Sequence, residues 1–493
     1  METRRSSRHL PIIDDVVLAP LKPAGLFGGR QAVAAGDEIL FSNDSLIGPL
    51  QAYPGEQLPD PASRKRFPVP DRPGEYCGRE EFERSSKFMA QFVHWPRRLE
   101  TVLEGRYFDL APVHFEGIFT LVCNFMCPHC TRRVTRTRWV EGGAWDYNTP
   151  IEKKNTMHPG GLRRTLDEAA SLMEDRQMGI VWGGGDPTAN PFTYDAMLYA
   201  TGLGITSSFL TNGVFLEVDP ALDPDPILIR ISLNCGTEEA YRKFHGYPKG
   251  WDYFDRVKQK MRELARRKLE RKARTLVGIS LIIDERNLED VIAATEEIRR
   301  VVDEVGGGVD YVIVRPVMNY KHFEQQWARL KSDTKQRAHD LISEDGAVWE
   351  ILKSIGVPLV PIKDSFEAPP SGDADFYSNG ECLAYGVCSE IRHNGDVQIC
   401  SDSYGNPEYT IGNLYESSLQ DIWQSDHRRQ VLAKLNERQC FKTYCPHNSR
   451  GHHYNRLFHL IEKKRSEGKI DEVRQWAGDL REVTYALGHS FFI

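Results

Sequence analysis

No stretch of about 18 consecutive apolar residues occurs anywhere in the 493-residue chain, which excludes an apolar membrane-spanning helix. The start, Met-Glu-Thr-Arg-Arg-Ser-Ser-Arg-His, has charge but lacks the apolar segment of a secretory signal, so a cytoplasmic protein is expected. Basic residues are not in excess: 63 Lys and Arg against 70 Asp and Glu leave a net charge of −7, which argues against general nucleic-acid affinity. No internal repeat is visible. Cysteine is scarce, ten in all, but eight of the ten fall in two groups, at 123–130 and 382–445. In a reducing compartment such groups read as metal ligands rather than disulfides.

The first group is Cys123, Cys127 and Cys130, in the run Cys-Asn-Phe-Met-Cys-Pro-His-Cys. Four cysteines normally close a cubane [4Fe–4S] cluster, so three leave one iron open to a small molecule. A zinc knuckle prefers four ligands in paired clusters, and only His129 is nearby as a further donor.

The chain around this motif changes character. Residues 1–110 are rich in Pro and Gly, with one helical pattern from Phe82 to Leu103 and no clear winged-helix pattern. From about 115, apolar strand-like runs fall at 115–122, 179–182, 205–211, 227–233, 275–283 and 309–315. Helical periodicity lies between them, as in Leu162, Leu166, Ala169 and Met173. Repeated βα units predict a parallel sheet with helices outside, here a partial (β/α)6 TIM-like barrel. Such barrels place chemistry at the C-terminal strand ends, where the three cysteines fall. The second run ends in Gly183-Gly184-Gly185-Asp186-Pro187; glycines let backbone approach a ligand, and a carboxylate can pair with an ammonium.

The three-cysteine motif in this register resembles the radical S-adenosylmethionine (SAM) superfamily. That resemblance implies a [4Fe–4S] cluster whose open iron is chelated by SAM, and a 5′-deoxyadenosyl radical formed by reductive cleavage. It also implies that Gly184, Gly185 and Asp186 bind the SAM amino group, Asp186 standing where Glu is usual. Asn212, in the Thr-Asn-Gly end of the third run, is an implied cofactor-binding residue, and Ser232 and Asn234, at the end of the fourth, are the implied ribose contacts. His129 takes the place of the family's aromatic ring before the third cysteine.

The second group reads Cys382-x5-Cys388, Gly395-x4-Cys400 and Cys440-x4-Cys445, with Ile411-Gly-Asn-Leu and Asp421-Ile-Trp between. This resembles the SPASM/Twitch extension of radical SAM enzymes. With so few cysteines it implies one auxiliary [4Fe–4S] cluster, held by Cys382, Cys400, Cys440 and Cys445, with Cys388 as the alternative ligand. The resulting layout is an N-terminal extension of unknown role (1–110), a radical SAM core (111–330), a linker with a helix (331–375), the auxiliary-cluster domain (376–450) and a C-terminal helix (451–493). Tyr454, Leu457, Phe458 and Ile461 make a docking face on that helix; His452, His453 and His459 beside it read as structural.

Three fates are open to a substrate radical. It is oxidised by the auxiliary cluster, epimerised by a cysteine hydrogen donor, or dehydrated or deaminated. Spare thiols are Cys77, Cys235 and Cys388, of which Cys235 and Cys388 are the candidate donors; Arg315, in Val-Arg-Pro ending the sixth run, is a candidate substrate contact. The expectation is an oxidoreductase or epimerase acting on a carbohydrate or aminocyclitol of a natural product. The alternatives are a ribosomal-peptide modifier or a sugar dehydratase. The radical chemistry implies an electron donor, flavodoxin or ferredoxin, which the basic run Arg132–Arg138 would suit, although such runs are more often solvated faces.

Overall fold

Each strand-like run forms a strand: β1 (His114–Ile118), β2 (Gly179–Trp182), β3 (Thr206–Thr211), β4 (Leu228–Ser232), β5 (Leu276–Ile283) and β6 (Tyr311–Pro316). They pair in chain order and all in parallel. The computed structural model describes residues 85–130, 156–173, 178–317, 332–361 and 381–483, less 86, 87, 94, 344, 404, 444 and 446–448. Helix α1 (Pro96–Leu103) precedes the sheet. Between the strands run α2 (Pro159–Ser171), α3 (Thr193–Gly202), α4 (Val218–Leu222), α5 (Glu238–His245), α6 (Tyr253–Arg271) and α7 (Val291–Val305).

The expected linker after β6 is part of the barrel. It forms α8 (Ser332–Ile342), α9 (Ala347–Ser354) and β7 (Leu359–Pro361), which pairs in parallel with β6. Val348 and Leu352 bury against the helices, which is why the segment docks. The other edge is extended too. β8 (Cys388–Arg392) lies parallel to β1, and β9 (Asp396–Gln398) and β10 (Thr410–Asn413) follow antiparallel. The sheet order is β10-β9-β8-β1-β2-β3-β4-β5-β6-β7, so the auxiliary region shares one sheet with the core. Beyond it come α10 (Leu419–Gln424), α11 (Asp426–Glu437), α12 (Arg450–Ser466) and α13 (Ile470–Val483). The single C-terminal helix expected from the sequence is two, broken at Gly468, whose φ of 70° ends α12.

Side chains alternate across the sheet. One face, with Phe115, Ile180, Phe209, Ile231, Ile279 and Val312, packs against the surrounding helices. The other face lines the barrel. Its apolar members, among them Val181, Leu228 and Tyr311, join a second core with Phe88, Phe92, Tyr107 and the docking face of α12. Tyr107 stacks on Phe458 at 4.6 Å, and Phe92 meets Tyr454 edge-on at 5.9 Å. Tyr454, Leu457, Phe458 and Ile461 are all fully buried, each burial contributing about 1.5–3 kcal/mol. Leu228 and Tyr311 begin their strands, so the end of the N-terminal extension and α12 stopper the barrel at its N-terminal mouth. Residues 1–84 lie outside the described residues.

One inward row shows how tightly the barrel is filled. Arg230, Gly278 and Tyr311 are neighbours in register on β4, β5 and β6. A Cβ at Gly278 would sit 2.1 Å from Tyr311 Cζ, so the phenol crosses the bare glycine toward Arg230. Gly278→Ala should therefore overpack the barrel, costing roughly 1–3 kcal/mol in chemical denaturation. In a double-mutant cycle Gly278→Ala with Tyr311→Ala should cost less than the sum of the single changes, because the clash is then gone.

Candidate active site

The site is built where β1 overruns its last paired residue. Gly183 N–H donates to Gly117 O at 3.2 Å, Gly185 N–H to Thr120 O at 2.7 Å and Asp186 N–H to Val122 O at 2.7 Å. The turn after β2 thus clasps the segment leading into Cys123. Only glycine fits there. A Cβ on Gly185 would lie 1.8 Å from Val122 O, and Gly184 has φ 119° with Thr120 O at 2.4 Å from its ideal Cβ.

The three thiols beyond this clasp are half-buried. Cys123 Sγ accepts from Phe125 N–H at 3.4 Å and lies 3.8 Å from Asn212 Nδ2. Cys127 Sγ lies 3.3 Å from His245 Nδ1, and Cys130 N–H closes a turn on Cys127 O at 3.0 Å. Burial raises the Cys127 thiol, and the neighbouring Cys130 and Cys123 raise it further, so the three sulfurs share one electrostatic environment. Three soft thiolates on one loop fit a cluster whose ligands bind separate irons. Among the described residues no three Cys, His, Asp or Glu side chains close on a single-ion position.

The sequence-derived site residues divide into two kinds. Asp186 is buried, and both its oxygens accept internal donors: Thr188 N–H and Oγ1–H, Thr211 Oγ1–H and Asn212 N–H, the last at 2.7 Å. Burial raises its carboxyl against the pull of those donors. The carboxylate expected to face an ammonium thus ties the ends of β2 and β3 together. Asn234, in the left-handed conformation at φ 60°, is also absorbed, its Oδ1 accepting from Ile282 N–H at 2.8 Å. Asn212 Nδ2 donates to Asn124 Oδ1 at 2.7 Å beside the cysteine loop. Ser232 ends β4 half-buried on the inward face.

His129 lies over Phe244 at 4.4 Å, with Nδ1 3.1 Å from the guanidinium of Arg286. Burial, then Arg286 and Arg315, hold it neutral by pushing its pKa down to about 3. Sequence reasoning missed Arg286 and His245. Neither sits in a motif; both reach the loop only through the packing of α5 and the β5–α7 connection.

The second cysteine group converges. Cys382, Cys388, Cys400, Cys440 and Cys445 all line one cavity, with Asp402, Tyr409 and Asn455. Asn455 Nδ2 donates to Cys382 Sγ at 3.4 Å, Asp402 N–H to Cys400 Sγ at 3.4 Å, and Tyr409 OH lies 2.9 Å from Cys440 Sγ. Burial pushes all five thiols up. Thiolates in so apolar a wall need a cationic centre, which an iron–sulfur cluster supplies. Cys388 also lies 3.7 Å from His114 Nδ1, on the barrel side of the wall.

The histidines beside this cavity pack on their neighbours. His452 stacks on Phe441, His453 stacks on Phe88, and His459 Nε2 lies 2.9 Å from Glu381 O. Between the two cysteine groups the inward face is polar. Arg450 pairs with Glu116 at 2.5 Å and contacts His114 Nε2 at 3.1 Å. Burial lowers Arg230 to about 10; Tyr311 opposes the shift, while Arg315 and Arg450 add to it. Arg315 therefore faces the interior with Arg230. The Oγ atoms of Ser208 and Ser280, on the same face, are buried without a hydrogen-bond partner. Cys235, in contrast, is fully buried in the outer core, its thiol raised by burial and then Asp290. Cys77 and the run Arg132–Arg138 lie outside the described residues.

A glycine test follows. Gly185→Ala should lose the first cluster and hold about four irons per chain by colorimetric analysis, against about eight for the unaltered protein. Gly183→Ala, whose added Cβ meets nothing within 4 Å, should load normally.

Comparison with known proteins agrees with this layout. The family described as the Radical SAM superfamily matches residues 118–298, and SPASM, an iron–sulfur cluster-binding domain, matches residues 382–446. The mycofactocin maturase MftC of Mycobacterium tuberculosis is 23% identical over 338 residues, covering 67% of this chain and 74% of the relative. The AdoMet-dependent heme synthase of Oleidesulfovibrio alaskensis is 22% identical over 336 residues, covering 63% of this chain and 74% of the relative. Among solved structures, Streptococcus suis SuiB bound to precursor peptide SuiA has a TM-score of 0.46 at 15% identity, covering 68% of this chain and 70% of that one. The chain carries a radical SAM domain and a SPASM domain, and these imply SAM, a [4Fe–4S] cluster and auxiliary iron–sulfur as its cofactors.

Proposed function

We propose that this enzyme oxidises its substrate inside the barrel and delivers the released electron to a single auxiliary cluster. The observation that carries this reading is the position of the two cysteine groups about β1. Cys123 follows its C-terminal end, whereas Cys388 sits opposite His114, its first residue. Five residues of strand rise roughly 16 Å, at about 3.3 Å each. The polar inward face lies between the two.

Cys123, Cys127 and Cys130 would hold the first cluster, and Cys382, Cys400, Cys440 and Cys445 the second, with Cys388 the alternative ligand. Bound there, SAM and its cluster would supply radical chemistry able to take a hydrogen atom from an unactivated C–H bond. The barrel's residues orient that bond and exclude water. Ser232 and Asn212 are the proposed contacts on the SAM side, with Gly184 and Gly185 contributing backbone rather than side chain. The substrate then gives up one electron and a proton, for a net loss of two hydrogens. Reduced flavodoxin or ferredoxin is the proposed source of the electron that cleaves SAM.

Epimerisation needs a thiol beside the substrate radical. Cys235 is sealed in the outer core, and Cys388 lines the cavity at the far end of β1. Among the described residues neither candidate donor reaches the SAM-side rim, which favours oxidation. The expectation of a carbohydrate or aminocyclitol finds no support among the relatives. The name of MftC, a maturase, supports the peptide alternative instead. The guanidiniums of Arg230 and Arg315 suit a carboxylate on such a peptide.

The reconstituted, reduced enzyme should form 5′-deoxyadenosine and methionine from SAM. In D2O its product should be lighter than the substrate by two hydrogens, without deuterium at the reacting carbon by mass spectrometry. Cys235→Ala should turn over normally, and Cys400→Ala should still cleave SAM but yield little oxidised product. Deuterium delivered to an epimerised carbon, lost in Cys235→Ala, would reverse the assignment. Oxidation of an aminocyclitol but of no peptide would restore the carbohydrate reading.

A further inference from the structure

His245 closes α5 with its ring wedged between Phe125 at 4.5 Å and Tyr241 at 4.3 Å, beneath the cysteine loop. Both its nitrogens face partners. Nδ1 lies 3.3 Å from Cys127 Sγ, and Nε2 lies 3.4 Å from Asn234 Nδ2. The chain of hydrogen bonds suits one tautomer of the ring. Ile282 N–H is a backbone donor, so the Asn234 atom 2.8 Å from it must be the carbonyl oxygen. The Asn234 amide nitrogen then points at His245 Nε2, which accepts from it in the tautomer that leaves Nε2 bare. A neutral imidazole with Nε2 bare has its hydrogen on Nδ1, aimed at the sulfur. Met126 N–H donating to His245 O at 3.0 Å pins the loop to the same residue.

We propose that His245 is a positioning residue for the first cluster: its Nδ1–H donates a hydrogen bond to Cys127 Sγ, oriented by the relay Ile282 N–H to Asn234 to His245. A donor at a ligating sulfur stabilises the reduced cluster, whose sulfurs carry more negative charge, and so raises its reduction potential. The enzyme needs that cluster reduced before SAM can be cleaved, so His245 sets how much of it is ready at a given donor potential. The proposal rests on the reading of Cys123, Cys127 and Cys130 as cluster ligands.

Two substitutions separate the hydrogen bond from the ring. His245→Phe keeps an aromatic between Phe125 and Tyr241 but has no donor. His245→Asn gives up the ring but places an amide nitrogen where Nδ1 stood. Redox titration monitored by electron paramagnetic resonance follows the cluster whose signal shifts when SAM is added, in protein with its auxiliary cluster in place. His245→Phe should retain its iron but show a roughly tenfold lower ratio of reduced to oxidised cluster at fixed potential, about 59 mV for a one-electron couple. His245→Asn should stay near the unaltered protein. Should His245→Phe fail to fold, His245→Leu takes its place in the comparison. A titration of the donor-less variant that overlays the unaltered protein, or one of His245→Asn that falls as far as His245→Phe, overturns the proposal. Absence of any SAM-sensitive signal in the unaltered protein, with iron bound, would instead overturn the ligand reading beneath it.

Discussion

The clasp between the turn after β2 and the overrun of β1 is the constraint on which the site depends. Two backbone hydrogen bonds, from Gly185 and Asp186 to Thr120 and Val122, hold the cysteine loop at a fixed height above the sheet. They form only because no side chain intervenes. Asp186 then locks the turn to β3 through Thr211 and Asn212. Three chain segments meet at one point, each fixing the others. A loop carrying three thiols needs such support, because the sulfurs must keep their spacing whether or not a cluster is bound.

The barrel interior follows the same economy of space. Gly278 is vacant so that Tyr311 can cross it, and Tyr311 in turn lies beside Arg230. Arg450, from α12, enters the N-terminal mouth to pair with Glu116 and meet His114. A helix distant in sequence thus contributes charge to the chamber that β1 lines. Neutral packing on the outer face and polar packing on the inner one are what leave room for chemistry inside.

Much of this was readable from the chain alone. Apolar runs bounded by turns place all six core strands within a few residues, because buried parallel strands read as continuous Val, Ile and Leu. The cysteine spacings mark both metal-binding regions, since ligation demands a residue type at a position. What escaped reading depends on register. His245 contacts Cys127 across more than a hundred residues, and nothing local distinguishes it from a histidine ending any helix. Asp186 is the expected acidic residue, but its four internal donors come from folded neighbours. Residues 332–361 resemble a linker because β7 is only three residues long and takes its stability from β6. Cys388 looks spare until β8 is seen to lie against β1.

That last pairing also bears on how such enzymes are built. β8 is hydrogen-bonded along the whole of His114–Ile118, the strand whose continuation presents the first cluster. The C-terminal module is therefore not an appendage that can be cut away. Without it β1 becomes an open sheet edge, a template for pairing with other chains. Exchange of this module between related enzymes must preserve a graft point: an incoming strand whose alternation matches β1 residue for residue. A slip of one position would turn the wall of the auxiliary cavity to the wrong side of the sheet.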